Sequence, residues 1–144
     1  MADVEHHIIE EFEAYELRPT QAEDLRELLE LCHENLDHVD DELISRAFRL
    51  CYLSHKGVTR ASGEPFYLHP VEVAKIVATD LTIDDESVAA ALLHDTVEDT
   101  AITLEDIQGQ FGETVAHIID GVTKIAGVFE NRDTKQAETF MKML

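Results

Sequence analysis

The chain has 144 residues, 44% of them hydrophobic, with only 6 Gly and 3 Pro, a composition that fits one compact helix-rich domain and excludes disordered or collagen-like classes. A net charge of −20 argues against nucleic acid as a partner, because a duplex binder needs a basic face to displace condensed counterions. No apolar run approaches the ~20 residues of a membrane span, and the acidic start Met1-Ala2-Asp3-Val4-Glu5 is unlike a signal peptide, so a cytoplasmic protein is expected.

In chain order, the first 18 residues show apolar pairs without sustained periodicity. Pro19-Thr20 then offers a helix start, and Leu25, Leu28, Leu29, Cys32 and Leu36 form the stripe of a helix over 21–36. Asp40 or Asp41 can cap a second helix carrying Leu43, Ala47, Leu50 and Cys51, with Gly57 as its stop. Cys32 and Cys51 lie among core positions, outside any CxxC pair, and are expected to be buried and inert. Residues 1–42 carry fifteen acids against Arg18 and Arg26, whereas 43–63 contain no acid and four cations, Arg46, Arg49, Lys56 and Arg60. The chain therefore divides into an acidic N-terminal helical segment, 1–42, and a second unit, 43–144, with room for a phosphate site.

Residues 57–70, GVTRASGEPFYLHP, break the helical period and form the longest internal loop, a place where function concentrates. Pro70 suits the first turn of a helix through Val73, Ile76 and Val77, and Asp84 or Asp85 can cap another through Val88, Ala91, Leu92 and Leu93. Thr103-Leu104-Glu105-Asp106 reads as a capping box before a short helix ending near Phe111-Gly112. Val115, Ile118, Ile119 and Val122 continue at helical spacing, so the expected fold class is all-α, one helical bundle.

The chemistry concentrates at His94-Asp95-Thr96-Val97-Glu98-Asp99, where ionisable residues close an apolar helix and would cost burial energy unless paired or bound to metal. His94 and Glu98 share one helix face and Asp95 and Asp99 another. Adjacent His and Asp offer mixed nitrogen and oxygen donors suited to manganese, iron or zinc, and His69 before Pro70 is the best further ligand. His6, His7, His33 and His38 read as surface residues, His117 sits beside core positions, and His55 is ambiguous. Arg60 could meet an anionic or aromatic ligand group, and Glu64 reads as a loop-closing carboxylate.

With these residues in view, the sequence resembles the Rel/SpoT alarmone hydrolases. Arg60 to Pro70, RASGEPFYLHP, is similar to their RxxGEPYxxHP element, and His94-Asp95 with Glu98-Asp99-Thr100 to their HDxxEDT motif. Phe111-Gly112 and Asp120-Gly121-Val122-Thr123-Lys124 are similar to FG and DGVTK elements, so ordered motifs cover roughly 43–144. The resemblance implies an HD-domain helical bundle that binds Mn²⁺ and removes the 3′-pyrophosphate of guanosine tetra- or pentaphosphate (ppGpp, pppGpp) in the stringent response. It implies metal ligation by His69, His94 and Asp95, hydrolysis served by Glu98 and Asp99, and guanine packing by Arg60. The family usually has Lys where this chain has Ala61, and Lys56 or Lys124 could substitute. The family's fourth ligand, an Asp in an ADRLHN-like segment, is absent. The expectation is a piece of a longer enzyme with synthetase and regulatory domains, itself weak in metal binding and turnover. Two alternatives stand beside it: an HD-type phosphohydrolase for another nucleotide, and a non-catalytic helical regulatory module.

Overall fold

A computed structural model describes the backbone of residues 2–128 and the side chains of residues 7–123. Lys124 falls outside the described side chains, and the patterned ending 136–144 outside the described residues altogether. The fold is all-α, as expected. Among the described residues seven α-helices run in order: α1 Ala2–Glu11, α2 Pro19–Asn35, α3 Asp41–Ser54, α4 Leu68–Ile76, α5 Asp85–Asp99, α6 Leu104–Phe111 and α7 Glu113–Val128. Among the described residues the sole β feature is an isolated bridge between Thr59 and Pro65.

The helix ends follow from local chemistry. Asp40 caps α3 by accepting from the Leu43 N–H at 3.1 Å, and Asp84 caps α5 by accepting from the Ser87 N–H at 2.8 Å. At α6 the Thr103 hydroxyl accepts from the Asp106 N–H while the Asp106 carboxylate accepts from the Thr103 N–H, a reciprocal capping box. Gly112, at φ 98, then stops the helix in a conformation that costs a side chain dearly.

Two elements differ from the sequence expectation. The first 18 residues form α1 and a 3-10 turn, Phe12–Ala14, that buries Phe12 with its ring 5.7 Å from that of Phe111. The helix after Pro70 widens into a π-helical turn, Val77–Leu81, and ends at Thr82 in the left-handed region. The Thr79 hydroxyl there donates back to the Lys75 carbonyl at 2.9 Å, which competes with the regular backbone ladder.

Helix α5 is the axis of the molecule and packs on α3, α4 and α7. Val88 to Leu93 are all buried, so this helix is apolar nearly all round, as a helix enclosed by others must be. Leu28, Ile44, Phe48, Leu50, Ile107 and Ile119 complete the core around it, and Cys32 and Cys51 are both buried within it. Burial pushes the Cys32 thiol up to about 11 and raises the Cys51 thiol further, so neither is a nucleophile near neutrality.

The acidic segment lies on this core through specific contacts. The Tyr67 hydroxyl donates to Asp24 at 2.5 Å, and the Arg46 guanidinium donates to Glu13 at 2.6 Å and Gln110 at 3.1 Å. Arg46 also lies over the Phe12 and Phe111 rings, 5.5 and 4.8 Å from their centroids. One cation thus clamps α3, the 3-10 turn and α6 together.

Candidate metal centre

The loop between α3 and α4 is shaped by its glycines and its own backbone bonds. Gly57 and Gly63 adopt φ 84 and 93, the Arg60 N–H donates to the Glu64 carbonyl at 2.8 Å, and the Phe66 N–H donates to the Val58 carbonyl at 2.9 Å. Glu64 therefore closes the loop through its main chain rather than its carboxylate. The loop returns the chain at Leu68 so that His69 stands in the first turn of α4, beside the middle of α5.

There the sequence candidates come together around Asp95. Its Oδ1 lies 3.2 Å from His94 Nε2, and its Oδ2 lies 4.0 Å from His69 Nε2. His94 is buried, and its Nδ1 meets the Ala91 carbonyl at 2.8 Å. That contact requires the proton on Nδ1 and leaves the Nε2 lone pair pointing at the cluster, the tautomer a metal-ligating imidazole needs. Asp95 Oδ2 is buried without a hydrogen bond. Desolvation raises the Asp95 carboxyl above its ordinary range, against the opposing pull of His94. A buried carboxylate oxygen left unsatisfied beside two imidazoles is the chemistry a divalent cation would resolve. Among the described residues, however, no three His, Cys, Asp or Glu side chains already converge tightly enough to enclose an ion. Two imidazoles and a carboxylate are, by chemistry, a donor set that suits such a cation.

Glu98 and Asp99 lie one turn further along α5, both at the surface. Partial burial raises the Glu98 carboxyl. Asp99 borders a cleft of about 530 Å³ whose walls include His55, Arg60, Ala61, Phe66 and Thr100. Arg60 reaches from this cleft to His69, with Nη1 3.5 Å from Nδ1. Lys56 is elsewhere: its ammonium sits 5.4 Å from the centroid of the Tyr15 ring and does not line the cleft.

The group that sequence reasoning left unassigned is His55. It is 4% exposed and its Nε2 lies 3.5 Å from Asp99 Oδ2. Its position four residues after Cys51, at the end of an apolar helix and before the loop, was the available signal.

A protein-family model described as HD domain matches residues 47–144, two thirds of the chain and all the residues of this cluster. The chain belongs to the HD domain family. Its bundle is accordingly an HD-type all-α fold. The chain is 41% identical over 118 residues to the guanosine-3′,5′-bis(diphosphate) 3′-pyrophosphohydrolase of Vibrio cholerae, covering 81% of this chain and 17% of that protein. It is 42% identical over 102 residues to the bifunctional (p)ppGpp synthase/hydrolase SpoT of Escherichia coli K12, covering 70% of this chain and 14% of that protein. It is 43% identical over 109 residues to the GTP pyrophosphokinase of Myxococcus xanthus, covering 73% of this chain and 14% of that protein. These relatives uphold the resemblance to Rel/SpoT enzymes stated from the motifs. The HD-type chain spans less than a fifth of their length.

Proposed function

We propose that this HD-type chain serves the metal-dependent hydrolysis of guanosine 3′-diphosphate 5′-di- or triphosphate to pyrophosphate and GDP or GTP, with Mn²⁺ as the metal. The observation that carries the reading is the Asp95 carboxylate, with one oxygen buried and unsatisfied, between His69 and a His94 whose tautomer is fixed for ligation. The printed names of the Vibrio cholerae and Escherichia coli relatives supply the substrate class.

In this reading His69, His94 and Asp95 hold the metal, whose chemistry when bound is Lewis acidity toward phosphate and water. One water is consumed: its hydroxyl ends on the pyrophosphate and its proton on the ribose 3′ oxygen. Glu98 and Asp99 orient the attacking water or take its proton, and the upward shift of Glu98 brings its carboxyl closer to the range where such exchange is efficient. Arg60, on the cleft wall, packs against the guanine with its planar guanidinium. Lys56 and Lys124 are the further cations this reading assigns to the phosphates. Residues 1–42 form an acidic cover on the catalytic unit 43–144. The small share of each relative that is matched, with the synthase in the printed name of the Escherichia coli relative, supports a setting in a longer enzyme with a synthetase part, which this reading places in the cytoplasm with regulatory domains beside it.

The test is release of pyrophosphate from ppGpp with Mn²⁺, Mg²⁺ or Zn²⁺, measured on this chain and on a longer polypeptide that includes an ADRLHN-like segment. Turnover of ppGpp but not of GTP, dGTP or cyclic dinucleotides, strongest with Mn²⁺ and in the longer polypeptide, is the expected result. Equal turnover of the other nucleotides would overturn the substrate assignment. No metal-dependent turnover and no metal-dependent stabilisation in either polypeptide would leave a regulatory module instead.

A further inference from the structure

His55, the residue that follows α3, is a buried histidine without a role in the proposed metal centre, and its surroundings are unusually constrained. Its ring stacks on Phe66, with centroids 4.7 Å apart and planes 27° apart. Its Nδ1 lies 3.1 Å from the Cys51 carbonyl and 3.3 Å from the Ser54 hydroxyl. The Ser54 hydroxyl in turn lies 3.0 Å from that of Thr96, a fully buried residue of α5 between His94-Asp95 and Glu98-Asp99. The proximal side of the ring is thus tied to both helices, and the ring cannot swing without breaking the stack and these contacts.

The distal nitrogen, Nε2, is buried without a hydrogen bond and faces Asp99 Oδ2 at 3.5 Å; with the Nδ1 proton directed at the Cys51 carbonyl, the ring pairs with this carboxylate as the imidazolium, which carries a second proton on Nε2. A ring nitrogen taken out of water and left unpaired is costly, so its retention needs compensation by the group it faces. Asp99 is the last residue of α5, a position where helices fray. Thr100 restrains the chain end there, its hydroxyl and N–H both donating to the Thr96 carbonyl at 2.6 and 3.2 Å. These bonds hold the backbone. They leave the Asp99 side chain, about half exposed, to be fixed by something else.

We infer that His55 is a positioning residue that holds the Asp99 carboxylate at the mouth of the cleft, in the orientation from which it acts on water. The inference rests on the hydrolase reading above and deepens it. A carboxylate that orients or deprotonates a nucleophile contributes through fixed geometry, and small misplacements are expensive in rate. Since Asp99 acts on the water rather than on ground-state substrate binding, loss of its anchor should lower kcat and leave KM nearly unchanged.

The experiment compares His55→Leu, which fills the site without a polar distal atom, with His55→Gln, which restores an amide donor at the distal position. Both are checked for helical content and melting. With His55→Leu, kcat for ppGpp should fall about 10–100-fold, the scale of lost outer-shell partners, with KM held, and His55→Gln should recover most of it. An unchanged kcat in His55→Leu, or equal losses in both variants accompanied by a raised KM, would overturn the inference. An arm independent of activity uses the histidine ring ¹⁵N spectrum of the 144-residue chain: Asp99→Asn should move the His55 Nε2 signal and leave that of His94 in place. If no polypeptide hydrolyses ppGpp, the hydrolase reading fails, and this spectrum still decides. A displaced Nε2 signal upholds the His55–Asp99 coupling and an unmoved one overturns it.

Discussion

In the proposed function, Asp95 concentrates the conflict between stability and function in a single side chain. It is partly buried, one of its oxygens is fully buried and unsatisfied, and its carboxyl is held above the ordinary range chiefly by desolvation. A raised carboxyl pKa means the folded chain keeps a proton at pH values where the unfolded chain has lost it. The resulting stability is present below the ordinary carboxyl pKa of about 4 and is lost as pH rises through the raised folded value. Glu98 is shifted the same way by partial burial. The metal-free chain should therefore melt higher at about pH 5 than at pH 7, and the difference should shrink in Asp95→Asn when thermal unfolding is followed by circular dichroism. The same substitution should stabilise the metal-free fold at pH 7 by about 1 kcal/mol, because an amide costs less to bury than an unpaired carboxylate. It should also abolish any stabilisation by Mn²⁺. A metal-free Asp95→Asn chain that melts below the parent at pH 7 would show that Asp95 is already compensated. At this scale the sequence was partly legible: an ionisable run in an apolar helix announced His94 and Asp95. His55 was not, because what singles it out is a contact with Asp99 across 44 positions of chain that no spacing displays.

At the level of elements, legibility followed the length of the pattern. Helices α2, α3 and α5 carry long apolar stripes or caps whose chemistry is local, and Asp40, Asp84 and Thr103 cap helices where their side chains permit. Helix α1 and the turn after it anchor through Ile9 and Phe12, a single i, i+3 pair too short to reveal a period. The π-helical turn depends on a hydroxyl bonding back to the main chain, which a hydropathy pattern does not record. What secures the short N-terminal element is Arg46, whose guanidinium spans Glu13, Gln110 and two phenyl faces. The ion pair with Glu13 is half open to water and contributes little, so the aromatic contacts should dominate. Arg46→Ala should destabilise the chain by roughly 1–2 kcal/mol in urea unfolding, and Arg46→Lys should recover less than half, since an ammonium cannot make the fork or stack on both rings. Glu13→Gln should cost far less than either. A loss in Glu13→Gln equal to that of Arg46→Ala would assign the clamp to the ion pair instead. The Thr103 capping box offers a separate check: Thr103→Val should cost about 1 kcal/mol.

Across the whole molecule, the net charge of −20 is a standing repulsion that the compact state must overcome. It is unevenly placed. Fifteen of the acids lie in the first 42 residues, while 43–63, which supply α3 and most of the cleft-forming loop, contain none. Of the cations in that stretch, Arg46 pairs with Glu13, while Arg49 and Lys56 meet the carbonyl and the ring of Tyr15 rather than a carboxylate, so most of the N-terminal charge repels itself. Screening should relieve that repulsion. Raising ionic strength from about 0.01 M to 0.15 M shortens the Debye length from ~30 Å to ~8 Å, and the melting temperature should rise with it. Neutralising the exposed acids Glu34 and Asp37 together, as Gln and Asn, should raise the low-salt melting temperature by about 1–2 °C and reduce its salt dependence. The reverse sign, melting that falls with added salt, would mean that the attractive pairs of Arg26 with Glu23 and Glu30 and of Lys75 with Glu27 outweigh the net repulsion. A polyanionic nucleotide meets the same field. In the proposed function its approach is opposed by the total charge and assisted locally by Arg60, so salt should weaken the repulsion and the specific contact together. The melting experiment separates the two because it contains no nucleotide.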